Sequence, residues 1–223
     1  GIAQLNESLS SEFTKQGIVN TVFSFYLQYP SFLFPGTSQK EAVDRKGPEG
    51  VNIQSTISSI NPISWWLTVR KIAQQRPDFV VVRYWLPFMG PCLGTICKWV
   101  KYKTGVPVIG ILDNVVPHEK RIGDKWFTRY FLTQCDGFVT MSSTVQDELS
   151  VFDSVKPRKL LYHPVYDHFG EKVEKTLALK HLSLPENQKV ILFFGIIRKY
   201  KGLKLLLKAL SKMKDKTDLK LIV

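Results

Sequence analysis

The stretch that decides the fold is residues 78–112, DFVVVRYWLPFMGPCLGTICKWVKYKTGVPVIGIL. Its two ends, 78–83 and 106–112, are short runs rich in valine and isoleucine, which are typical of buried strands. The segment between them, near residues 89–103, has the length of a helix. A strand, a helix and a second strand in this order predict parallel pairing, because parallel neighbours need a long crossover connection.

The same alternation extends along the chain in both directions. Ile2, Leu5, Leu9 and Phe13 have helical spacing ahead of Gly17. Further strands are predicted at 18–25, 137–141 and 159–162, further helices at 64–75, 123–133 and from Ser142 or Ser143 through Leu149, and a long loop at 30–49. Short apolar strands separated by helices predict an α/β, Rossmann-like domain with a parallel sheet.

A second domain is indicated after His163 and Pro164, where periodicity lapses until about Asn187. It returns as a strand at 189–194, a basic turn at 195–202 and a helix at 203–213. We predict an N-terminal domain over 1–165, a linker over 166–187, and the first β-α-β of a second Rossmann-like domain over 188–223. We also expect a fragment truncated at both ends, lacking the first strand of one domain and most of the other.

Composition limits the classes of protein to consider. The chain carries 31 Lys+Arg and 19 Asp+Glu, and its 44% of hydrophobic residues excludes intrinsic disorder. The net charge is +12, of which +10 falls in residues 156–223, with 16 basic and 6 acidic side chains. An odd number of cysteines, three, and no apolar run near the ~20 residues that span a bilayer predict a cytoplasmic protein.

The strongest local signal is residues 193–202, FFGIIRKYKG. A strand that ends at Gly195 and is followed by Arg198, Lys201 and a helix start predicts an anion site at the carboxyl end of a parallel strand. The alternative is a solvated basic turn with no ligand. The turn has neither G-x-G-x-x-G nor a P-loop, which argues against dinucleotide oxidoreductases and P-loop enzymes.

A second signal is the loop 113–119, DNVVPHE, which follows a predicted strand and would lie in the crevice above the strand ends. There His118 would hydrogen-bond a hydroxyl or a developing charge, although a lone histidine in a loop is more often a surface residue. Aromatic residues at 23–34, 65–66 and 84–88 are a third signal, for stacking on sugars, for a membrane interface or for core packing.

Four segments, in order, resemble family 4 (group 1) retaining glycosyltransferases of the GT-B fold. The segment VILFFGIIRKYKGLKLLLKAL resembles the start of their second domain, and DNVVPHE resembles their Asn-x-x-Pro-His-Glu loop. GIAQLNESL resembles the helix after their first glycine-rich turn, and HPVYDHF the segment that closes their first domain. Asp113 departs from the pattern, since many relatives have His there.

This resemblance implies an enzyme that transfers a hexose from a nucleotide-sugar donor to a glycan or lipid-linked acceptor, as in polysaccharide biosynthesis. It implies retention of configuration and neither metal nor cofactor. Arg198, Lys201 and Gly195 would bind the donor diphosphate, and Gly1 would match the last glycine of the first loop. Asn114, Glu119 and His118 would line the acceptor-side cleft, with His118 as the catalytic candidate. The 223 residues alone are expected not to turn over a donor, because the family's acidic donor-binding residues come later.

Two other functions remain open at this point. A nucleotide-sugar epimerase shares the GT-B architecture and uses paired acids, and the loop 113–119 has two carboxylates. A nucleic-acid-binding protein would place cations and exposed aromatic residues along one face, and the sequence does not favour this pattern. Peripheral contact with an anionic membrane at its inner face is a further hypothesis, motivated by the lysines from Lys204 to Lys216.

Overall fold

The protein is an α/β protein with parallel sheets, compatible with a Rossmann-like fold. The computed structural model describes residues 2–30, 50–117, 119, 121–164, 170–195, 197–213 and 219–223. Two compact units divide the chain, Gly1–His163 and Pro164–Val223. Among the described residues, no helix is both long and apolar enough to cross a membrane.

The first unit alternates helices and strands, as predicted. Its elements are α1 (Ile2–Lys15), β1 (Thr21–Leu27), β2 (Asn52–Ser58), α2 (Pro62–Gln74), β3 (Val80–Tyr84), α3 (Gly90–Thr104), β4 (Val108–Leu112), α4 (Asp124–Gln134), β5 (Gly137–Thr140), α5 (Ser143–Phe152) and β6 (Arg158–Leu160). Strands β1 and β2 form one parallel pair, and β3, β4, β5 and β6 form a parallel sheet in that order.

Strand β2 was missed by the sequence analysis. Five of its seven residues are polar and it carries only two isoleucines, so no apolar alternation marks it. Only Ile57 of its hydrophobic side chains is buried, against α2. The pairing with β1 rather than hydrophobic patterning therefore defines this strand.

Helix boundaries in the first unit follow from capping side chains. The Asn61 carboxamide accepts a hydrogen bond from the Ile63 amide at 3.0 Å, and Pro62 opens α2. Ser142, the first of the two predicted caps, accepts from the Val145 amide at 3.2 Å and starts α5. Gly105 ends α3 in the left-handed conformation.

The core is built around α3, which packs between α2 and α4. Glycines on α3 permit the close approach of α4: a Cβ atom at Gly90 would lie 2.3 Å from the Phe127 carbonyl oxygen, and one at Gly94 would lie 2.8 Å from the Tyr130 ring. Next to this contact, Tyr84 and Phe131 stack with ring centroids 4.4 Å apart and are fully buried.

We predict that Gly90→Ala lowers the free energy of unfolding by about 2–3 kcal/mol, because the methyl group meets fixed backbone. Gly94→Ala should cost about 1 kcal/mol, because the Tyr130 side chain has room to move. Urea unfolding of the two variants measures the difference. Equal losses would contradict the close packing of backbone at Gly90.

The second unit contains α6 (Lys175–His181), β7 (Lys189–Leu192), α7 (Leu203–Ser211) and β8 (Leu219–Ile222). The predicted β-α-β is confirmed, with β7 and β8 parallel. Helix α6 lies inside the segment 166–187, for which the sequence analysis predicted no regular element. Seven residues are too few for a clear helical period, and Leu179 is the only buried side chain of α6.

Candidate functional site

The four strands of the larger sheet end level with one another. Tyr84 pairs with Leu112, Leu112 with Thr140, and Thr140 with Leu160, so the last residues of β3, β4, β5 and β6 form one row. The segments that follow these strands begin at the same edge, which is where parallel α/β sheets bind ligands. The predicted loop 113–119 begins there.

A charged pair lies at this edge. The Arg83 guanidinium binds the Asp113 carboxylate through two hydrogen bonds, Nε to Oδ2 at 2.7 Å and Nη2 to Oδ1 at 2.6 Å. Arg83 also donates from Nη1 to the Asn6 side-chain oxygen of α1 at 3.2 Å. Arg83 is only 8% exposed, and a buried guanidinium needs such a bidentate carboxylate. The pair therefore holds α1, β3 and the loop after β4 together.

The loop after Asp113 is fixed at two further points. Val115 is 1% exposed in the core, and the Val116 amide donates to Glu148 Oε2 on α5 at 3.1 Å. Asn114 is half-buried and Glu119 is exposed, so both predicted residues lie in a loop anchored at the carboxyl edge. His118 lies outside the described residues.

Aromatic side chains of β1 and of the segments that follow β1 and β3 meet beside the same edge. The Trp85 indole nitrogen donates to the Tyr29 hydroxyl at 2.8 Å, and the Phe25 ring meets Trp85 edge to face with centroids 6.1 Å apart. Tyr84, in contrast, belongs to the core, as the packing interpretation predicted. Trp66 lies on the outer side of α2, where the Arg70 guanidinium is 4.8 Å from its ring centroid. The predicted aromatic segment continues to residue 34, and residues 31–34 lie outside the described residues.

The turn after β7 brings two predicted site residues together. Gly195 has φ +116°, and a Cβ atom there would be 2.6 Å from Lys201 Nζ, so the ammonium group lies against a residue that has no side chain. The Lys201 amide donates to the Arg198 carbonyl at 3.0 Å, which closes the turn. Gly202, with φ +78°, then starts α7. Arg198 and Lys201 are both exposed. Gly1, the fourth predicted phosphate-binding residue, lies outside the described residues.

The sequence analysis missed Arg83 and Asn6 as parts of the edge. One signal was present: Arg83 is a single charge at the end of an apolar strand, and Asp113 follows the next strand. Parallel neighbours that end at the same edge would bring such charges together. Asn6 carries no comparable signal, because a polar residue on a helix is ordinary.

Within the described part of the chain, no three His, Cys, Asp or Glu side chains are grouped as a metal site would require. No model of a known protein family matches the chain, and no curated protein sequence matches it.

We predict that Asp113→Asn lowers the free energy of unfolding by about 3 kcal/mol, because Arg83 is left buried without its counter-charge. The double variant Arg83→Met, Asp113→Leu should lose less than either of its single variants, Arg83→Met and Asp113→Leu, since no charge is then left unpaired. Urea unfolding over this double-mutant cycle measures the coupling. Additive losses would show that the pair does not act as one unit.

The three cysteines are buried and unpaired. Burial raises the pKa of the Cys92 thiol to about 12, and likewise that of Cys135 to about 12. A thiol in this environment is a poor nucleophile at neutral pH, so these cysteines fit a structural role.

We predict that iodoacetamide at pH 8 modifies Cys92, Cys97 and Cys135 slowly in the folded protein and rapidly in urea, as mass spectrometry would show. The raised pKa values of the thiols also determine whether stability rises or falls with pH. The unfolded state releases the thiol protons first, so the stability these groups contribute at neutral pH is lost as pH rises through the range from 9.0 toward 12. Rapid alkylation of the folded protein would contradict the prediction of slow thiol modification.

Proposed function

We propose that the protein is a glycosyltransferase of the GT-B type, which transfers a sugar from a nucleotide-sugar donor to a glycan or lipid-linked acceptor with retention of configuration. The observation that carries the proposal is the position of Lys201 Nζ against Gly195, at the carboxyl end of β7 and directly before α7. This combines a turn residue without a side chain, three positions after the end of β7, with an exposed cation and a helix start, as an anion site requires.

The donor diphosphate is the ligand that fits this turn. Lys201 and Arg198 are exposed cations with three and five hydrogen-bond donors, and phosphate oxygens accept such bonds strongly. In the transfer, the bond between the anomeric carbon and the β-phosphate oxygen breaks and negative charge grows on the leaving diphosphate. Cations held at this position stabilise that charge. The acceptor hydroxyl bonds to the same face of the sugar, and its proton passes to the departing phosphate oxygen.

The acceptor would bind at the carboxyl edge of the first unit. Asn114, Glu119 and His118 belong to the loop that resembles the family's cleft loop, and the Asp113 and Val115 anchors hold its first half in place. The epimerase alternative gains no support, because Asp113 is bound by Arg83 and therefore does not offer a second free acid.

We predict that Lys201→Gln weakens binding of nucleoside diphosphates at least about tenfold, since one charge-assisted hydrogen bond is worth about 1.5–3 kcal/mol. Lys208→Gln is the matched control, because Lys208 is an exposed lysine in the last turn of α7 and its loss changes net charge equally. An NMR titration with UDP, GDP and ADP follows the amides of Gly195, Lys201 and Gly202. Equal weakening in the two variants, or no saturable binding, would contradict the proposal.

Gly195→Ala tests the geometry without changing the charge. A methyl group there meets Lys201 Nζ at 2.6 Å and the left-handed φ is strained for alanine, so the ammonium group must move. Binding of the same diphosphates should weaken at least about fivefold, with β7 and β8 still paired. Wild-type affinity in Gly195→Ala would show that the contact between Gly195 and Lys201 plays no part in binding.

A further inference from the structure

Two exposed apolar surfaces lie at the carboxyl edge of the first unit. The first, which we call the α4 start, is residues 121–129, where Ile122 is fully exposed and Trp126 is 76% exposed. The second, the α2 start, is residues 60–71, where Ile63 is 67% exposed. Grouped apolar side chains of this kind mark a surface that contacts a partner. The other exposed apolar side chains of the two starts are Ile60, Trp66, Leu67 and Phe127.

Tertiary hydrogen bonds place both starts at the same edge. In the second turn of α4, Thr128 Oγ1 lies 2.8 Å from the hydroxyl of Tyr84, the last residue of β3. In the first turn of α3, Cys92 Sγ lies 3.7 Å from the carbonyl of Ser58, the last residue of β2 before the turn into α2. Helix α3 packs between α2 and α4, so the two starts lie on either side of it. At ordinary helix spacings they are about 16–20 Å apart.

Hydrogen bonds hold Ile122 in its exposed position. The Arg121 amide donates to Asp124 Oδ2 at 2.6 Å, and the Asp124 amide donates to the Arg121 carbonyl at 3.3 Å. The Trp126 amide donates to the Gly123 carbonyl at 3.0 Å. Because the turn is closed before any partner binds, little further ordering of the backbone is needed for binding.

Exposed cations surround the apolar side chains of both starts. Asp124 is the only acidic side chain in residues 60–71 and 121–129, and its carboxylate is held by the Arg121 amide. The two starts are therefore strongly positive, and an anionic surface is their electrostatic complement. The cations are Arg70, Lys71, Arg121, Lys125 and Arg129.

An anionic membrane fits this arrangement better than a protein partner does. Tryptophan favours the region between lipid headgroups and hydrocarbon, and neighbouring lysine and arginine side chains extend their charged ends to the phosphates. The core of a protein–protein interface is instead depleted of lysine, whereas Lys125 lies directly beside Trp126. A flat membrane surface also contacts two starts on either side of α3 at once.

We propose that the α4 start and the α2 start dock the first unit on an anionic membrane surface, with Ile122, Trp126 and Ile63 inserted among the lipid headgroups. This surface belongs to the first unit and is distinct from the lysines of α7 in the second unit. Docking there brings the carboxyl edge of the larger sheet close to the lipid. The proposal rests on exposed side chains and their charges, and not on the proposed transfer reaction.

The first test removes an apolar side chain. The 223-residue chain is sedimented at low salt with vesicles of equal parts phosphatidylcholine and phosphatidylglycerol. Trp126→Ser should weaken binding at least about tenfold, because the largest exposed apolar side chain of the α4 start is lost. Tyr102→Ser is the matched control, because Tyr102 is 93% exposed in the last turn of α3, away from the carboxyl edge. It should bind as the wild type does, and neither substitution should change the melting temperature.

The second test removes charge. The double variant Lys125→Gln, Arg129→Gln should weaken binding at least about tenfold, since each cation near an anionic membrane contributes about fivefold. The double variant Lys204→Gln, Lys208→Gln removes the same charge from α7 and should bind as the wild type does. Vesicles of phosphatidylcholine alone should bind the wild-type chain at least about tenfold more weakly.

Several outcomes would overturn the proposal: no sedimentation with the anionic vesicles, the same loss in Trp126→Ser and Tyr102→Ser, or a larger loss from the α7 variant than from the α4 variant. A wild-type dimer in light scattering that Trp126→Ser dissociates would also overturn it, because a second copy would then cover the α4 start. Nucleoside diphosphate binding is measured separately, so a failure of membrane docking is distinguishable from a failure of the proposed function.

Discussion

The ion pair between Arg83 and Asp113 is the interaction on which the carboxyl edge of the first unit depends. A guanidinium that is only 8% exposed must be neutralised where it lies, and the bidentate carboxylate fixes the loop after β4 relative to β3. The remaining guanidinium donor reaches Asn6, which sets the start of α1 at the same edge. One buried charge thus determines the positions of three segments that are distant in sequence.

Part of the positive charge of the chain has a structural role of the same kind. Lys156 donates to the Leu132 carbonyl at 2.8 Å, and Arg158 lies 3.4 Å from the Asp153 carboxylate. Burial acts to raise the pKa of Asp153, but hydrogen bonds from Lys156 and Val155 and the nearby cations lower it overall. These two cations hold β6 beside α4 and α5, so they cannot be counted toward an anion-binding surface. Arg198 and Lys201, in the turn after β7, are by contrast exposed.

The sequence predicted the elements from α2 to β6 because β3, β4 and β5 are short apolar runs and most helices begin or end at Pro, Gly or a capping side chain. It failed at β2, where Gln54 and Ser55 break any alternation and pairing defines the strand. It failed again at α6, which is two turns long. In the candidate site, the sequence analysis placed Gly195 and Lys201 in one turn but did not predict the contact between them. That contact depends on the φ angle of Gly195, which residue spacing does not reveal. The link from Arg83 to Asn6 depends on tertiary packing and was likewise beyond sequence reasoning.

An open cavity of about 1610 Å³, lined by residues of β1 and β3, and the ion pair constrain one another. Arg83 lines the cavity, and its side chain binds Asp113 and Asn6. Because Arg83 sits between β4 and α1, moving β3 sideways to close the cavity would strain the bidentate pair with Asp113. Closing the cavity from the other side would move β1 and, through Asn20, the end of α1.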